Sequence, residues 1–191
     1  MKLVLASKSP RRRALLKTLR IPFTVMPSGV AENSNETRPP RLVQELARRK
    51  AEFVAKKIKS GLVLGADTLV ILGQEILGQP RDAQQAYKML YRLAGTTHKV
   101  FTGVALVDVD RGTTKCAYAV SRVRMKKLPI DQILRLAQLH LDKAGSYAIQ
   151  SKNDPIATVV EGDYDNVVGL PMKLVKRLLA PYHRAKTRAK R

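Results

Sequence analysis

Met1-Lys2-Leu3-Val4-Leu5-Ala6-Ser7-Lys8-Ser9-Pro10-Arg11-Arg12-Arg13 opens the chain, and its reading decides the architecture. Leu3 to Ala6 is a short apolar run, the pattern of a strand buried on both faces. Ser7 and Ser9 follow it, and Pro10 suits the first turn of a helix, where its missing amide costs nothing. Leu15, Leu16 and Leu19 then recur at helical spacing. A strand therefore delivers two hydroxyls and three guanidiniums to a helix N-terminus, whose exposed N–H groups attract anions. Arginine grips phosphate with a rigid bidentate fork. Alone, the same stretch also fits an ordinary α/β opening with basic surface residues, so a phosphate site needs a second half from elsewhere in the chain.

Working outward, Phe23 to Met26 reads as a second short strand, and Pro27 to Pro40 as a polar, turn-rich segment carrying Glu32 and Glu36. A long helix is expected from Arg41 to Lys59, stopped by Gly61. Leu62 to Leu64 and Leu69 to Leu72 look like buried strand interrupted by Gly65-Ala66-Asp67-Thr68. Asp82 with Gln85 three residues on caps a helix ending near Leu93, and Gly95 closes it. Lys99 to Val109 and Lys115 to Lys126 alternate as the arms of a hairpin around Asp110-Arg111-Gly112. A helix over Ile130 to Leu139, short strands at Tyr147 to Gln150 and Ala157 to Val160, and a last helix from Pro171 to Leu179 complete the reading. The expectation is an α/β fold with a mixed sheet; no G-x-G-x-x-G run marks a dinucleotide fold.

The 191 residues are enough for a sizeable core, in one domain or two joined lobes. No apolar run reaches the roughly 18 to 20 residues needed to cross a bilayer. The opening lacks a signal peptide's plan, and the single Cys116 cannot form an internal disulfide. Both observations favour a cytoplasmic protein without membrane association. Charge is the unusual property: 36 Lys and Arg against 15 Asp and Glu give a net +21. Such an excess draws polyanions through a long-range field, but it is spread along the chain and does not say which. Residues 183–191 carry five Lys or Arg and read as a disordered tail available for nonspecific nucleic-acid contact.

Asp67 is the other half that the opening stretch needs. A carboxylate inside an apolar strand is costly unless it is paired or holds a metal. Its alternative is an edge or bend, with the carboxylate bonding local amides. If Asp67 shares a pocket with Glu32, the two could hold a hard cation such as Mg²⁺ among phosphates. Lys50 sits one turn after Leu46 and either points inward or joins the solvated basic face. Lys143, among the small residues of Asp142-Lys143-Ala144-Gly145, offers a mobile positive charge for phosphate. Gln150 offers a donor and an acceptor for a base edge.

Taken together, Leu5-Ala6-Ser7-Lys8-Ser9-Pro10-Arg11-Arg12, Gly65-Ala66-Asp67-Thr68, Leu77-Gly78-Gln79-Pro80, His98 with Thr102-Gly103, Asp142-Lys143-Ala144-Gly145 and Asn166-Val167-Val168-Gly169-Leu170-Pro171 resemble the Maf family of nucleoside triphosphate pyrophosphatases, also named septum formation inhibitors. The pattern through Tyr147, Ile149 and Gln150 is most similar to the branch acting on dTTP and UTP. The resemblance implies a single two-lobed domain over residues 1–182, a mixed sheet with a central cleft as in the inosine triphosphate pyrophosphatases, and a homodimer. It implies hydrolysis of a nucleoside triphosphate to the monophosphate and pyrophosphate, with a divalent cation, Mg²⁺ or Mn²⁺, as cofactor. Ser7, Ser9, Arg11, Arg12 and the neighbouring Arg13 match its phosphate-binding motif, with Lys143 and Gln150 as distal substrate contacts. Glu32 and Asp67 match its acidic, metal-holding residues, and Lys50 its helix lysine.

Arg11, Arg12, Lys50 and Lys143 then supply positive potential, while Asp67 activates water. Beside a cation, its proton affinity is expected to fall, which favours orienting a polarised water over acting as a free base. Two positions depart from the family pattern. Gln79 stands where the motif has lysine, leaving Arg81 as a candidate substitute, and Ser151 stands where the branch has glycine. The competing readings are a basic nucleic-acid-associated protein with an idle nucleotide cleft, and a division-regulatory α/β domain. The retained pair Glu32 and Asp67 argues against the first, because negative charge has no use in a polyanion site without a metal or a reaction.

Overall fold

Burial on both faces explains the central strands. In the computed structural model, which describes residues 2–139, 141–149 and 156–188 and side chains as far as residue 182, β1 (Leu3–Leu5) lies parallel to β2 (Thr24–Val25) and to the long β3 (Leu62–Leu72). Leu3, Leu5, Leu62, Leu64 and Ala66 face one apolar cluster, while Val4, Ala6 and Val63 face another. Strands buried on both sides need apolar residues at consecutive positions, which is why the opening run shows no alternation.

The elements continue with α1 (Pro10–Lys17), α2 (Pro39–Ala55), β4 (Glu75–Leu77), α3 (Ala83–Leu93), β5 (Thr97–Asp108), β6 (Thr113–Met125), α4 (Ile130–Ala137), β7 (Ala157–Glu161), α5 (Tyr164–Val168) and α6 (Met172–Arg188). The seven strands form one mixed sheet in the order β2-β1-β3-β5-β6-β7, with β4 paired antiparallel to β3. The α/β expectation therefore holds.

The chain divides into two compact units, residues 1–67, 102–119 and 169–191, and residues 68–101 and 120–168. In the first, α2 covers one face of the strands through Ala47, Ala51 and Val54. Leu16 of α1 and Leu174, Val175 and Leu179 of α6 cover the other. In the second unit, Ala86, Met89, Leu90 and Leu93 of α3 and Ile133 and Ala137 of α4 pack with Val100, Val123, Met125 and Ala157 of the strands. The Asp82 side chain caps α3 by accepting from the Gln85 N–H at 2.7 Å, as the spacing predicts.

Four local expectations are corrected. Residues 65–68 do not interrupt β3, which runs unbroken through Asp67. Tyr147 to Ile149 are not strand; a single 3₁₀ turn, Ala144–Ser146, precedes them, with Gly145 at φ +69°. The long helix starts at Pro39 and ends at Ala55, not Lys59. The last helix does not stop near Leu179 but continues through Pro181 to Arg188. Most of the expected tail is thus helical backbone, since Ala, Lys and Arg after Pro181 are strong helix formers; residues 189–191 lie outside the described residues.

Candidate active site

The serines act first on their own backbone. Ser7 is buried and its Oγ accepts from the Ser9 N–H at 3.2 Å. Ser9 is the N-cap of α1, its Oγ accepting from the Arg12 N–H at 3.4 Å. Arg12, half-buried, turns back across this junction. Its Nε donates to the Gly169 carbonyl at 2.8 Å and its Nη1 to Ser7 Oγ at 3.5 Å. Burial lowers the pKa of the Arg12 guanidinium, and Asp67 opposes that loss. Arginine's very high starting value keeps it charged. Arg11 is half-buried and Arg13 exposed.

The acidic half is built by close approach of α2 to the sheet. Val63, Gly65 and Asp67 lie on one face of β3 by strand alternation. A Cβ on Gly65 would lie 2.3 Å from the Ala47 carbonyl oxygen, and one on Gly103 of β5 would lie 2.1 Å from that of Val43. Two absent side chains therefore let the helix backbone settle against the strands. Lys50, on the buried stripe of α2 beside Ala47, Ala51 and Val54, is thereby brought to Asp67. Its Nζ donates to Asp67 Oδ1 at 2.5 Å and to Glu32 Oε1 at 2.6 Å. Asp67 and Lys50 are buried, whereas Glu32 reaches in from the exposed segment before α2.

Opposing effects act on Asp67. Burial raises its pKa, while the positive charges of Lys50 and Arg12 pull it down; burial wins. In the metal-free site Asp67 therefore holds a proton more readily than an ordinary aspartate.

Ser7, Ser9, Arg12, Glu32, Lys50 and Asp67 thus belong to one constellation within one compact unit. Lys143 belongs to the other unit, where its half-buried side chain holds Asp142 Oδ1 at 2.6 Å. Gln79 and Arg81 are exposed in that same unit. Gln150 and Ser151 lie outside the described residues.

Among the described residues no cluster of three or more His, Cys, Asp or Glu forms a metal cage. Glu32 and Asp67 nonetheless supply hard carboxylate oxygens converging on one positive charge, a donor set that suits Mg²⁺ or Mn²⁺ completed by phosphate oxygens. Sequence reasoning missed the Gly169 carbonyl. Its only signal was the run Asn166-Val167-Val168-Gly169-Leu170-Pro171, from which no backbone contact can be read.

Comparison with known proteins sets the chain in a family. The Maf-like protein family matches residues 2–182. A dTTP/UTP pyrophosphatase of Moorella thermoacetica is 46% identical over 182 residues, covering 94% of each chain. One from Elusimicrobium minutum is 38% identical, covering 95% of this chain and 99% of its own. Among solved structures, the Staphylococcus aureus Ham1 protein superposes with a TM-score of 0.56 at 14% identity, over 95% of this chain and 100% of that one, which is a likeness of fold alone. On the family match and these identities, the chain belongs to the Maf family.

Proposed function

We propose that the chain hydrolyses dTTP and UTP to the monophosphate and pyrophosphate. The observation that carries this is the buried Lys50–Asp67 pair beside Arg12, which places a proton acceptor of raised affinity among fixed positive charges. The pyrimidine preference rests on the relatives, which are dTTP/UTP pyrophosphatases.

Water attacking the α-phosphorus loses a proton as charge builds on the leaving pyrophosphate. Asp67 accepts that proton. Arg12 and Lys50 stabilise the developing negative charge, and preorganised cations do so without reorganising during the reaction. Ser7, Ser9 and the first amides of α1 hold phosphate oxygens, with Arg11 and Arg13 adding field. Glu32 and Asp67 would hold the divalent cation, which when bound adds electrophilic polarisation of phosphate oxygens. Lys143 and Gln150 belong to the same proposal as distal substrate contacts. The homodimer rests on family membership, and the cytoplasmic location on the lone cysteine.

The test is a panel of dTTP, UTP, CTP, ATP and GTP incubated with Mg²⁺ or Mn²⁺, with pyrophosphate and monophosphate quantified separately. Equimolar release from dTTP and UTP is the expected result. A folded chain that releases pyrophosphate from none of them overturns the reading.

A second property has its own observation. Arg13 and Lys17 of α1 and Lys173, Lys176 and Arg177 of α6 are exposed, neither helix carries an Asp or Glu, and both pack on one apolar cluster. We propose that this face binds the phosphate backbone of nucleic acid without sequence preference. Among the described side chains of α6, Leu174, Val175 and Leu179 are buried in the apolar cluster, so its exposed side is the basic one.

A further inference from the structure

Arg12 can serve a phosphate only if its long side chain is held in one rotamer, because a free guanidinium loses entropy on every encounter. The structure fixes it at a main-chain atom 157 positions away: Nε donates to the Gly169 carbonyl at 2.8 Å. That bond uses the inner edge of the guanidinium. That carbonyl therefore helps to set the direction of the fork, beside the weaker 3.5 Å bond from Nη1 to Ser7 Oγ.

Three sequence features set that carbonyl. Gly169 has φ +113°, a conformation that L-residues with side chains rarely adopt. Leu170 is fully buried in the cluster shared by α1 and α6. Pro171 restricts Leu170 to extended backbone and leads into α6, with its carbonyl accepting from the Val175 N–H at 3.0 Å. Gly169-Leu170-Pro171 is thus a stiff bracket, anchored by an apolar side chain and a helix start, that presents one acceptor to Arg12.

We infer that Gly169 is a positioning residue for the reaction, acting through Arg12: its positive-φ backbone aims the carbonyl that locks the guanidinium. This rests on the nucleotide-hydrolysis reading for its kinetic consequence, but the physical link does not need turnover to be seen. Gly169→Ala forces φ toward negative values, swings the carbonyl away and loosens the fork at Nε. Arg12→Lys keeps the charge but deletes the planar fork with its Nε donor, so in that background the Gly169 carbonyl no longer orients a guanidinium.

The experiment is a double-mutant cycle on the full chain with two readouts. In the first, ¹⁵N spectra of the nucleotide-free protein report solvent exchange at Arg12 Nε–H, assigned by its loss in Arg12→Lys. Slow exchange in the wild type and fast exchange in folded Gly169→Ala are expected. The second is steady-state hydrolysis of dTTP. Gly169→Ala should lower kcat by up to about 100-fold, the cost of misplacing a positioned group. In the Arg12→Lys background it should lower it by less than about 2-fold, since coupled residues are non-additive.

Equal losses in both backgrounds would make Gly169 a merely structural glycine and overturn the inference. So would unchanged Nε–H exchange in Gly169→Ala. If the wild type hydrolyses no nucleotide, the exchange change still supports the link to Arg12, and only the functional reading falls. Where Gly169→Ala does not fold, wild-type exchange decides alone: Nε–H exchange at Arg12 far slower than at the exposed Arg13 supports the lock, and equal exchange at the two overturns it.

Discussion

Asp67 carries two demands that conflict. As a buried group it is more comfortable protonated, yet the proposed chemistry needs the carboxylate. Lys50 resolves this by standing 2.5 Å away, with Glu32 sharing the same ammonium. Asp67→Asn keeps an acceptor for Lys50 Nζ and removes a costly buried charge, so its thermal midpoint should stay within a few degrees of the wild type. Its dTTP turnover should fall by at least about 100-fold, because an amide cannot take the proton. Wild-type rates, measured after excluding contaminating pyrophosphatase, would remove Asp67 from the mechanism. Lys50→Met tests the other partner. It strands a buried carboxylate, which typically costs about 3–5 kcal/mol, so chemical denaturation should show a loss of that order together with lost turnover. A stability change under about 1 kcal/mol would mean that the pair contributes little to holding the site.

At the level of elements, the distance between α2 and β3 decides whether the site exists. Gly65→Ala places a methyl carbon where only 2.3 Å separates it from the Ala47 carbonyl, so the helix must retreat and carry Lys50 with it. A loss of at least about 1–3 kcal/mol and of hydrolysis is expected. Gly78→Ala, which meets nothing within 4 Å, is the control and should leave stability nearly unchanged. The same glycine explains one misreading. Gly65-Ala66-Asp67-Thr68 looks like a break because glycine and aspartate are poor strand formers, but here glycine makes room for a helix and aspartate finds a buried partner. Local patterning revealed β1, α1, α3 and the β5–β6 hairpin, whose signals lie within a few residues. It also placed Lys50 one turn from Leu46, leaving open which way the side chain turns. What could not be read was the chain-distant contact, Arg12 on Gly169, which depends on a backbone angle. His98 supplies a pH test at this scale. Burial pushes its pKa down to about 4, and Nε2 shares a 2.7 Å hydrogen bond with the Tyr147 hydroxyl. The unfolded chain binds the proton first, so stability present above pH ~6.5 falls as pH drops toward 4, by about 3 kcal/mol in all. Denaturation midpoints at pH 7 and 5 should differ less in His98→Gln than in the wild type; an equal difference would clear His98 of the effect.

Across the whole molecule, a net charge of +21 raises the question of whether polyanion binding is a surface property or a general field. A field acts through total charge, so any three cations count alike; a surface counts only its own. Lys173, Lys176 and Arg177 are exposed on α6, and Arg124, Lys126 and Lys127 are exposed in the other unit. Changing either trio to Gln lowers the net charge by the same amount. If the α1–α6 face is the surface, the α6 trio should weaken binding of a labelled single-stranded RNA and flatten the dependence of log K on log salt by up to about 2, near 0.7 for each lost phosphate contact. The other trio should leave that slope nearly intact, and dTTP hydrolysis should persist in both because Asp67, Lys50 and Arg12 are untouched. Truncation after Tyr182 removes five further cations and should lower the slope again. Equal slopes for the two trios would assign the attraction to charge at large, whereas loss of hydrolysis in the α6 trio as severe as in Asp67→Asn would mean that the basic face and the phosphate site are one structure.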